Sequence, residues 1–436
     1  MRDPIIRWEK LRSSYFPVHR DGEIWSYSAN DFTLLPSQGW KLHVSATFVS
    51  APDVLAAVCE VLDHERLSCK TLHDPRDLVR LNAGMEFGYS QIGKFITLYP
   101  ANSEECVRLA RSLAAATAGF PGPAVPFERR VSPDSPVFAR YGLFIGREEK
   151  LLAPDGQRVT DSREANPSWA VPPVGLFDQE EEKLVGPLGT RYVVYDAIVQ
   201  RGKGGVYLAI DLATGPRKCV LKEGRRFGEV DGKGVDGQSR VGDEYLNLLT
   251  LRSLGIRVPQ VYDYFRQGGN SYVVLEFIKG ELLSDVMSRD RGSSGLSTSA
   301  RQLSLQVSEL VAAIHAAGFV WRDLKATNVI LTPDGEVRPI DFEGSCVNGT
   351  AIQTLWGSRG HVPAEWATSR RAEFSHDLFA LGVIIRQLHV SPHVQSQRDD
   401  PLFGLAGPVR EIVAKLTSTN AEERPPAALV ADALRD

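Results

Sequence analysis

One stretch in the last third of the chain constrains its fold more than any other, VWRDLKATNVILTPDGEVRPIDFEG at residues 320–344. It places Lys325 and Asn328 shortly after Asp323, and Asp341 follows after two strand-like runs that a Pro-Asp-Gly turn separates. Carboxylate and amide oxygens beside a lysine are groups that divalent cations and phosphates require. The stretch therefore brings two carboxylates, an amide and a lysine close together in the sequence.

The order and spacing of these residues resemble the catalytic loop and metal-binding segment of protein kinases, H-R-D-x-x-x-x-N followed by D-F-G. The resemblance implies that Asp323 accepts the proton of the attacking hydroxyl, with Lys325 as a second catalytic residue. It also implies that Asn328 and Asp341 bind Mg²⁺ against the phosphates of ATP, GTP or another nucleoside triphosphate. We therefore expect a phosphotransferase.

Further positions extend the resemblance toward the C-terminus. Glu365, in Pro-Ala-Glu, stands where kinases carry A-P-E, and Asp377 and Arg424 match a structural aspartate and the arginine that pairs with that glutamate. Two positions depart from the pattern, because Trp321 replaces a structural histidine and Glu343 replaces the glycine of D-F-G. The missing glycine predicts a less mobile metal-binding segment and a constitutively competent kinase. The complete catalytic set argues against a pseudokinase.

Upstream of this stretch, the sequence from Tyr192 reads as a strand, a glycine turn and a second strand. Glycines at the turn let backbone N–H groups approach phosphates closely, although a hairpin turn explains them equally well. The next strand ends in Lys222, for which Glu244 in a helical segment is the predicted partner; the alternative is a surface lysine at a strand end. The residues predicted for the nucleotide site are Gly202, Gly204, Gly205, Lys222, Glu244 and Glu276.

The length and composition indicate a globular protein of two or three domains. The formal net charge of −4 gives no basic excess for nucleic acid, and no apolar run is long enough to cross a membrane. The N-terminus lacks the apolar core of a signal peptide, and the five cysteines form no close pair in the sequence. These features predict a cytoplasmic protein with reduced thiols and without nucleic-acid or membrane partners.

Three regions follow from the pattern of apolar residues and structure breakers. Residues 1–145 mix strand-like and helix-like runs, as an α+β domain does. Residues 146–188 are polar, proline-bearing and acidic, which predicts a linker or an irregular bridging segment. Residues 189–436 form the kinase-like region, with an N-terminal lobe at 189–280 and a C-terminal lobe at 281–436.

Local patterns refine these regions. The strand-like runs of the first region are residues 41–49 and 94–98, and the helix-like runs are residues 52–62 and 103–118. The earlier helix-like run carries its apolar residues at helical spacing. In the kinase-like region, residues 224–242 are rich in glycine and charge, which predicts a mobile loop.

Basic residues inside the apolar runs of the first region suggest an anion site. In GWKLHVSATF, Lys41 and His43 lie on one face of a strand because side chains alternate. Lys70 and Lys94 follow, and arginines stand at positions 129, 130 and 140. These residues fit a pocket for an anionic substrate, and they equally fit charges on a solvated surface, so the pattern alone leaves both interpretations open.

The sequence resembles class III lanthipeptide synthetases, because KLHVS, an internal lysine, GKFITLYP, PFERR and SPVFARYG stand in that order ahead of the kinase-like region. The N-terminal domain of these enzymes is similar to the phosphothreonine lyases of bacterial effectors. The resemblance implies that Lys70 is the general base and His43 the general acid of a β-elimination. The phosphate ligands that it implies are Lys41, Lys94, Arg130 and Arg140. Few basic residues precede GKFITLYP, so one phosphate ligand is expected from elsewhere in the chain.

The resemblance implies an N-terminal phosphothreonine-lyase-like α+β domain followed by a bilobal protein-kinase-like domain, which together form a bifunctional peptide dehydratase. The kinase would phosphorylate Ser and Thr of a ribosomally made precursor peptide that carries a leader. The lyase would then eliminate phosphate and leave dehydroalanine or dehydrobutyrine. The alternative is a regulatory Ser/Thr kinase whose N-terminal domain only binds proteins, and in that case the basic residues of the first region would not converge.

A cyclase is the usual third domain of this family, and no sequence remains for it after the kinase-like motifs. Two-domain members are associated with avionin-containing lipopeptides (lipolanthines), in which a flavin-dependent cysteine decarboxylase supplies the thiol partner. A separate cysteine decarboxylase or cyclase is therefore an expected partner. The alternative is that the chain is cut after the kinase.

Overall fold

The computed structural model describes residues 4–63, 67–144, 150–178, 186–213, 215–289, 299–352, 356–390, 400 and 402–435. The chain divides into two compact units. The first comprises Met1–Leu208, Lys222–Ser239 and Arg266–Tyr272. The second comprises Ala209–Leu221, Arg240–Phe265 and Val273–Asp436.

A seven-stranded antiparallel sheet forms the centre of the first unit, with strand order β1-β2-β4-β5-β3-β7-β6. The longest strands, β3 and β7, pair over their full length, from Gln38 opposite Leu143 to Val44 opposite Val137. The strands are β1 (Val18–His19), β2 (Trp25–Tyr27), β3 (Gln38–Val44), β4 (Ser68–Leu72), β5 (Ile96–Tyr99), β6 (Arg129–Arg130) and β7 (Val137–Leu143).

One face of this sheet is apolar because every second side chain projects to the same side. Leu42 and Val44 of β3 and Leu98 of β5 are fully buried in a core that also contains Leu55 and Leu109 from two helices. Burying each such side chain contributes about 1.5–3 kcal/mol. The helices of this domain are α1 (Pro4–Tyr15), α2 (Ala51–Leu62), α3 (Pro75–Ala83) and α4 (Ser103–Ala116).

The predicted runs of the N-terminal region are confirmed in type and differ only at their ends. Helix α4 begins where predicted because the side chain of Asn102 caps it, accepting a hydrogen bond from the Glu105 backbone N–H at 2.9 Å. Strand β3 ends earlier than predicted, because Thr47 and Ser50 form a hydrogen-bonded turn that leads into α2. Helix α3 ends at Gly84, whose φ of 72° is the left-handed conformation that glycine adopts without strain.

The segment predicted to be a linker contributes structure to the first unit. Its described part contains a hairpin of β8 (Lys150–Leu152) and β9 (Arg158–Thr160). Leu151 is buried, and Leu176 belongs to the core of the seven-stranded sheet. The boundary placed at residue 145 stays a prediction.

A second sheet of five strands has the order β10-β11-β12-β14-β13. Helix α5 (Gly237–Ser253) begins inside the segment 224–242, so the prediction of a loop is wrong from Gly237 onward. Asp236 stabilises the turns before the helix, because its carboxylate accepts hydrogen bonds from the backbone N–H groups of Phe227 and Ser239. The strands are β10 (Tyr192–Arg201), β11 (Gly204–Asp211), β12 (Arg217–Gly224), β13 (Val261–Gln267) and β14 (Asn270–Glu276).

The second unit is mainly helical. Its core packs the apolar faces of its two longest helices after α5, with Val307 and Val311 on one and Leu381 and Ile384 on the other. The helices are α6 (Leu283–Arg289), α7 (Ala300–Ala316), α8 (Phe374–His389), α9 (Gly407–Leu416) and α10 (Ala427–Arg435). The short strands are β15 (Glu281–Leu282), β16 (Phe319–Val320), β17 (Val329–Leu331), β18 (Val337–Pro339) and β19 (Cys346–Val347). Of the helices in the described parts of the chain, none has the length and apolar character needed to span a bilayer.

Candidate active sites

The polar face of the seven-stranded sheet gathers the basic residues of the N-terminal region. On β3, Lys41 lies opposite Arg140 of β7, and His43 lies opposite Thr97 of β5. Thr97 in turn lies opposite Lys70 of β4. Because directly opposite residues in a sheet share one face, these charged side chains project from the same side.

These side chains line one cavity of about 470 Å³, which we call the cationic pocket. His43 and Arg140 are almost fully buried, with 3% and 1% of their surface exposed. A confined group of cations raises the local concentration of an anion and suits a phosphate dianion. The basic residues that line the pocket are Lys41, His43, Lys70, Lys94, Arg140 and Arg163.

A buried carboxylate, Glu128, joins two of these residues. Its Oε2 lies 2.6 Å from Nδ1 of His43, and its Oε1 lies 3.1 Å from Nζ of Lys94. The Glu128 side chain has no exposed surface, and it enters from a turn in which Phe127 adopts a left-handed φ of 64°. A buried charge needs such partners, since an unpaired one is costly in the protein interior.

Arg140 is anchored by a second carboxylate. Its guanidinium donates two hydrogen bonds to Asp161, which also accepts one from the backbone N–H of Leu143 at 3.1 Å. Lys41 Nζ donates to the carbonyl oxygen of the same Leu143 at 3.0 Å. Gly142 leaves room for this network, because a Cβ there would press against both the guanidinium and the Asp161 carboxylate. The cations on β3 and β7 are therefore held in fixed positions.

The pocket shifts the protonation of its own residues. Burial, followed by repulsion from Lys41 and Lys94, lowers the pKa of Lys70 to about 7. Burial and then Arg140 likewise lower the pKa of Lys41 to about 7. Near neutral pH, a substantial fraction of each lysine is therefore an uncharged amine, which can accept a proton.

The histidine and its carboxylate shift in the same direction for different reasons. Burial lowers the pKa of His43 to about 4, against the attraction of Glu128, so the imidazole is neutral at pH 7. Burial alone would raise the pKa of the Glu128 carboxyl, yet the adjacent His43 and Lys94 lower it to about 2. Glu128 is thus an anion at every working pH.

The structure brings most, but not all, of the predicted pocket residues together. Lys41, His43, Lys70 and Lys94 line the pocket as the sequence predicted, and Arg140 does so as well. The position predicted for Arg130 needs correction. Its guanidinium donates to the Ser135 carbonyl oxygen at 2.5 Å and lies over the ring of Phe138, 4.5 Å from the centroid, so it is not among the residues that line the pocket.

Two charged residues that line the pocket, and a carboxylate that contacts its basic residues, were not predicted from the sequence. Asp161 and Arg163 belong to the segment predicted to be a linker, and no motif marked them. Glu128 stands inside PFERR, a motif in which the predicted site residue is Arg130. The sequence did predict that one phosphate ligand comes from outside the recognised motifs. Arg163 lines the pocket and fits that prediction.

In the second unit, the segment after β16 holds a hydrogen-bonded cluster around Asp323. Its Oδ2 accepts from Lys325 Nζ at 2.7 Å and from Asn328 Nδ2 at 3.1 Å. Its Oδ1 accepts from the hydroxyl of Ser358 at 2.8 Å, and Lys325 Nζ also donates to that hydroxyl oxygen at 2.9 Å. These contacts fix the carboxylate in one orientation. Ser358 was not predicted from the sequence.

Asp377 supports the backbone that leads to this cluster. Its Oδ2 accepts from the backbone N–H of Trp321 at 2.7 Å, and its Oδ1 accepts from that of Arg322 at 2.8 Å. Arg322 adopts a left-handed φ of 68°, a conformation that costs about 1–3 kcal/mol unless the surroundings compensate. The nearly fully buried Asp377 provides that compensation, and the predicted structural role of this aspartate is confirmed.

The segment that carries Asp341 is held from several sides. The indole Nε1 of Trp321 donates to the Asp341 carbonyl oxygen, and the Trp321 ring is stacked on that of Phe342 at 5.2 Å. The Phe342 backbone N–H donates to Glu244 Oε1 at 3.1 Å, and its carbonyl oxygen accepts from Asn247. These contacts agree with the prediction of a less mobile metal-binding segment.

Glu365 and Arg424 form the predicted ion pair. The Arg424 guanidinium lies 2.5 Å from Glu365 Oε1, and it also donates to the carbonyl oxygens of Ser418 and Ser375. The Arg424 side chain has no exposed surface. Since removing Glu365 would leave the buried charge of Arg424 without this partner, the pair fixes the segment before α8 to the end of the domain.

Asn328 and Asp341 fit the requirements of a Mg²⁺ ion. Asn328 uses Nδ2 to donate to the Asp323 backbone and carboxylate, so the amide oxygen is the atom left for a cation. Within the described ranges, no group of three or more His, Cys, Asp or Glu residues is arranged around a common point. A cation would therefore rely on one carboxylate, one amide and phosphate oxygens, a hard-oxygen set that Mg²⁺ accepts.

The glycine turn between β10 and β11 has a packing role. The backbone N–H of Gly202 donates to the Ala83 carbonyl oxygen at 3.0 Å, and a Cβ at Gly202 would overlap the carbonyl oxygen of Asn82. Gly204, with φ of 154°, packs equally closely on the carbonyl oxygen of Glu223. The prediction that Gly202 offers its N–H to phosphate therefore needs correction, because that group already has a partner on α3.

Of the remaining residues predicted for the nucleotide site, Glu276 has defined contacts, whereas the roles of the others stay predictions. The Glu276 carboxylate accepts from the Gln260 backbone N–H at 3.1 Å and lies 3.3 Å from the Arg338 guanidinium, so it makes a structural contact. The pairing of Lys222 with Glu244 stays a prediction, as does the contribution of Gly205 to phosphate binding.

Comparison with known proteins identifies both halves of the chain. The family described as RamC, N-terminal domain matches residues 13–184, and the protein kinase domain matches residues 198–426. A probable SapB synthase of Streptomyces coelicolor is 33% identical over 334 residues, which cover 71% of this chain and 36% of that protein. Serine/threonine-protein kinase C of Synechocystis is 30% identical over 207 residues, covering 45% of this chain and 38% of the relative.

These relatives are longer proteins, since the chain spans 36% and 38% of their lengths. A protein kinase domain implies use of ATP and a divalent metal. The predicted domain order, an α+β domain before a kinase-like domain, is confirmed, and so is the resemblance to class III lanthipeptide synthetases. The chain belongs to the protein kinase family, and its kinase domain follows an N-terminal domain of the RamC type.

Proposed function

We propose that the chain is a bifunctional peptide dehydratase, which phosphorylates Ser and Thr side chains and then eliminates the phosphate. The observation that carries this proposal is the convergence of Lys41, His43, Lys70, Lys94 and Arg140 in one pocket. A purely protein-binding domain has no need to bury so many cations around a cavity, because their desolvation is costly. The regulatory-kinase alternative required these residues to lie apart.

The elimination step uses Lys70 as general base. Within the described residues, no atom accepts a hydrogen bond from its Nζ, which lies 3.9 Å from the centroid of the Trp25 ring. Its neutral form takes the Cα proton of the phosphorylated residue. The electron pair of that C–H bond becomes the Cα=Cβ double bond, and the Cβ–O bond breaks with its pair on the phosphate oxygen. His43, once protonated, gives its Nε2 proton to that oxygen.

The other cations stabilise charge that develops during the reaction. Lys41 and Arg140, held by Leu143 and Asp161, face the leaving phosphate and cost no reorganisation when it departs. Arg163 completes the phosphate ligands in place of Arg130. A phosphate dianion in the pocket also raises the pKa of His43, because a negative charge favours the imidazolium, and the protonated ring can then act as the acid.

The phosphorylation step belongs to the Asp323 cluster. Asp323 accepts the proton of the substrate hydroxyl as it attacks the terminal phosphate, and Lys325 faces the same centre. Asn328 and Asp341 would hold Mg²⁺, which neutralises phosphate charge when bound. We propose ATP as the donor, with GTP or another nucleoside triphosphate as alternatives to be tested.

The substrate proposed is a ribosomally made precursor peptide with a leader. The support is the similarity of this chain to a synthase, together with two catalytic centres that act in sequence on one side chain. Joining both centres in one chain raises the effective concentration of phosphopeptide at the second centre. That a separate cysteine decarboxylase or cyclase acts on the product stays a prediction.

The test is mass spectrometry of a small Ser- and Thr-containing peptide encoded beside this protein, incubated with the full chain, ATP and Mg²⁺. The wild-type protein is expected to give dehydrated peptide, whereas Lys70→Ala accumulates phosphopeptide because kinase turnover continues. His43→Ala is expected to do the same. Dehydration at the wild-type rate in both variants would overturn the lyase assignment. Phosphorylation without any dehydration by the wild-type protein would favour the regulatory kinase.

A further inference from the structure

The carboxylate of Glu128 is in direct contact with two of the proposed lyase residues, His43 and Lys94. It has no exposed surface, and it bridges His43 at 2.6 Å and Lys94 at 3.1 Å. A pocket that binds a dianion gains nothing in affinity from a buried negative charge. The position of Glu128 therefore needs an explanation other than phosphate binding.

The contact with His43 determines which ring nitrogen faces the substrate. An ionised carboxylate only accepts hydrogen bonds, so Nδ1 of His43 must carry the proton that it donates to Glu128. In the neutral ring, Nε2 is then the nitrogen that is free to take up a proton. When it does, the anion beside Nδ1 stabilises the imidazolium, in the way that a buried aspartate serves the histidine of a serine protease.

The contact with Lys94 separates the roles of the pocket lysines. Burial lowers the pKa of Lys94, and the Glu128 carboxylate at ion-pair distance opposes that shift. Lys70 has no such carboxylate in contact among the described residues, and its amine lies against an aromatic face. The two lysines thus differ in their contacts, because only Lys94 has the Glu128 carboxylate at ion-pair distance.

We propose that Glu128 is a positioning residue of the lyase centre: it orients His43 with Nε2 toward the leaving oxygen and holds Lys94 in an ion pair, while Lys70 acts as the base. This inference rests on the proposed lyase function. It assigns to a residue of PFERR a role that acts through His43 and Lys94, and Glu128 itself touches neither the substrate nor the reacting atoms.

Three variants of the full-length protein separate the parts of this role. Glu128→Gln keeps a hydrogen-bond acceptor and removes the charge, Glu128→Met removes both, and Glu128→Asp restores the charge. Elimination from a pre-phosphorylated peptide is expected to fall by about 10²-fold or more in kcat for Met, as when other groups that orient a catalytic histidine are removed. The Gln variant is expected to shift the acid side of the pH profile, and the Asp variant to recover part of the rate. Glu60→Gln, an exposed charge change on α2, serves as the matched control.

Selective ¹⁵N labelling of histidine gives a readout that does not depend on turnover. The His43 signal, assigned by its loss in His43→Gln, is expected to show a protonated Nδ1 in the wild-type protein and a shift toward Nε2–H in Glu128→Met. An unprotonated Nδ1 in the wild-type protein overturns the proposal, even if the variants fail to fold. Elimination by a folded Glu128→Met at the rate of Glu60→Gln overturns it as well. If the wild-type protein eliminates no phosphate while Nδ1 is protonated, the proposed function fails and the geometric assignment stands.

Discussion

The indole Nε1 of Trp321 donates a 2.9 Å hydrogen bond to the carbonyl oxygen of Asp341. Trp321 thereby connects the catalytic loop to the metal-binding segment, at the position where protein kinases usually carry a histidine. Its ring is nearly parallel to that of Phe342, with an interplanar angle of 6°. The substitution that departs from the kinase pattern therefore supplies both a donor and a packing surface.

We expect Trp321→Phe to weaken phosphorylation moderately. Phenylalanine keeps an aromatic ring against Phe342 but leaves the Asp341 carbonyl without its donor, a loss of about 0.5–1.5 kcal/mol. Peptide phosphorylation should fall by about 2- to 10-fold in kcat/KM, since each 1.4 kcal/mol is a factor of ten. Elimination from pre-phosphorylated peptide is the control and should not change. An unaltered phosphorylation rate would show that this hydrogen bond does not position Asp341.

Asp323→Asn should abolish phosphorylation and leave elimination intact. The change removes the proton acceptor, which typically costs about 10²–10⁴-fold, while the lyase residues belong to a different cluster. The measurement compares ATP-dependent phosphorylation with phosphate release from a synthetic phosphopeptide. If Asp323→Asn lost both activities while its thermal midpoint of unfolding equalled that of the wild-type protein, the two-site proposal would be contradicted.

Elimination should depend on pH through Lys70. Since burial lowers its pKa from 10.5 to about 7, the amine gains its neutral form as pH rises through 7. The kcat/KM of elimination should therefore increase about tenfold from pH 6 to pH 8. Lys41→Met should move this rise to higher pH, because a neighbouring positive charge that lowers the pKa of Lys70 is removed. If kcat/KM rises at the same pH in Lys41→Met as in the wild-type protein, Lys41 does not lower the pKa of Lys70.

Arg163 and Arg130 offer a matched test of the phosphate ligands, because both changes to Gln remove one positive charge. Arg163→Gln should raise the KM of elimination by about 10- to 150-fold, as expected for loss of a charge-assisted hydrogen bond of about 1.5–3 kcal/mol. Arg130→Gln should change it by less than about twofold, within the range of substitutions away from a site. Phosphate release from a phosphopeptide measures both. A larger increase in KM for Arg130→Gln than for Arg163→Gln would support Arg130 as the phosphate ligand, as the sequence predicted.

Gly202→Ala should destabilise the fold, because its Cβ would overlap the carbonyl oxygen of Asn82. Gly232→Ala is the control, since a Cβ there meets no atom within 4 Å. The loss at Gly202 should exceed about 1 kcal/mol, visible as a lower thermal midpoint, whereas the control should stay within about 0.5 kcal/mol. Equal midpoints would mean that the contact with α3 is not formed in solution.

The sequence predicted those parts of the sites that local patterns determine. Alternation along β3 was enough to place Lys41 and His43 on one face, and the spacing after Asp323 was enough to mark Asn328. Both predictions depend on residues close together in the chain, where the period of the strand or the loop fixes direction.

The missed features depend on contacts between distant segments. Asp161 reaches Arg140 across 21 positions, and Glu128 reaches His43 across 85. The spacing of residues along the chain does not predict contacts between such distant residues. A single carboxylate among arginines, such as Glu128, is also typical of a charged surface. Gly202 was misread for the same reason, because a glycine that serves a flexible turn and one that serves close packing look identical in sequence.

The contact of Gly202 with Ala83 also bears on how such a protein can evolve. The hairpin that opens the kinase domain uses a helix of the RamC-type domain as its support, with no side chain between them. Recombination that exchanged either half for a relative's would have to preserve this backbone fit, together with the glycine that permits it. Related proteins that keep this contact are therefore expected to inherit the RamC-type domain and the kinase domain together. Their sequences are expected to diverge by substitutions around the pocket.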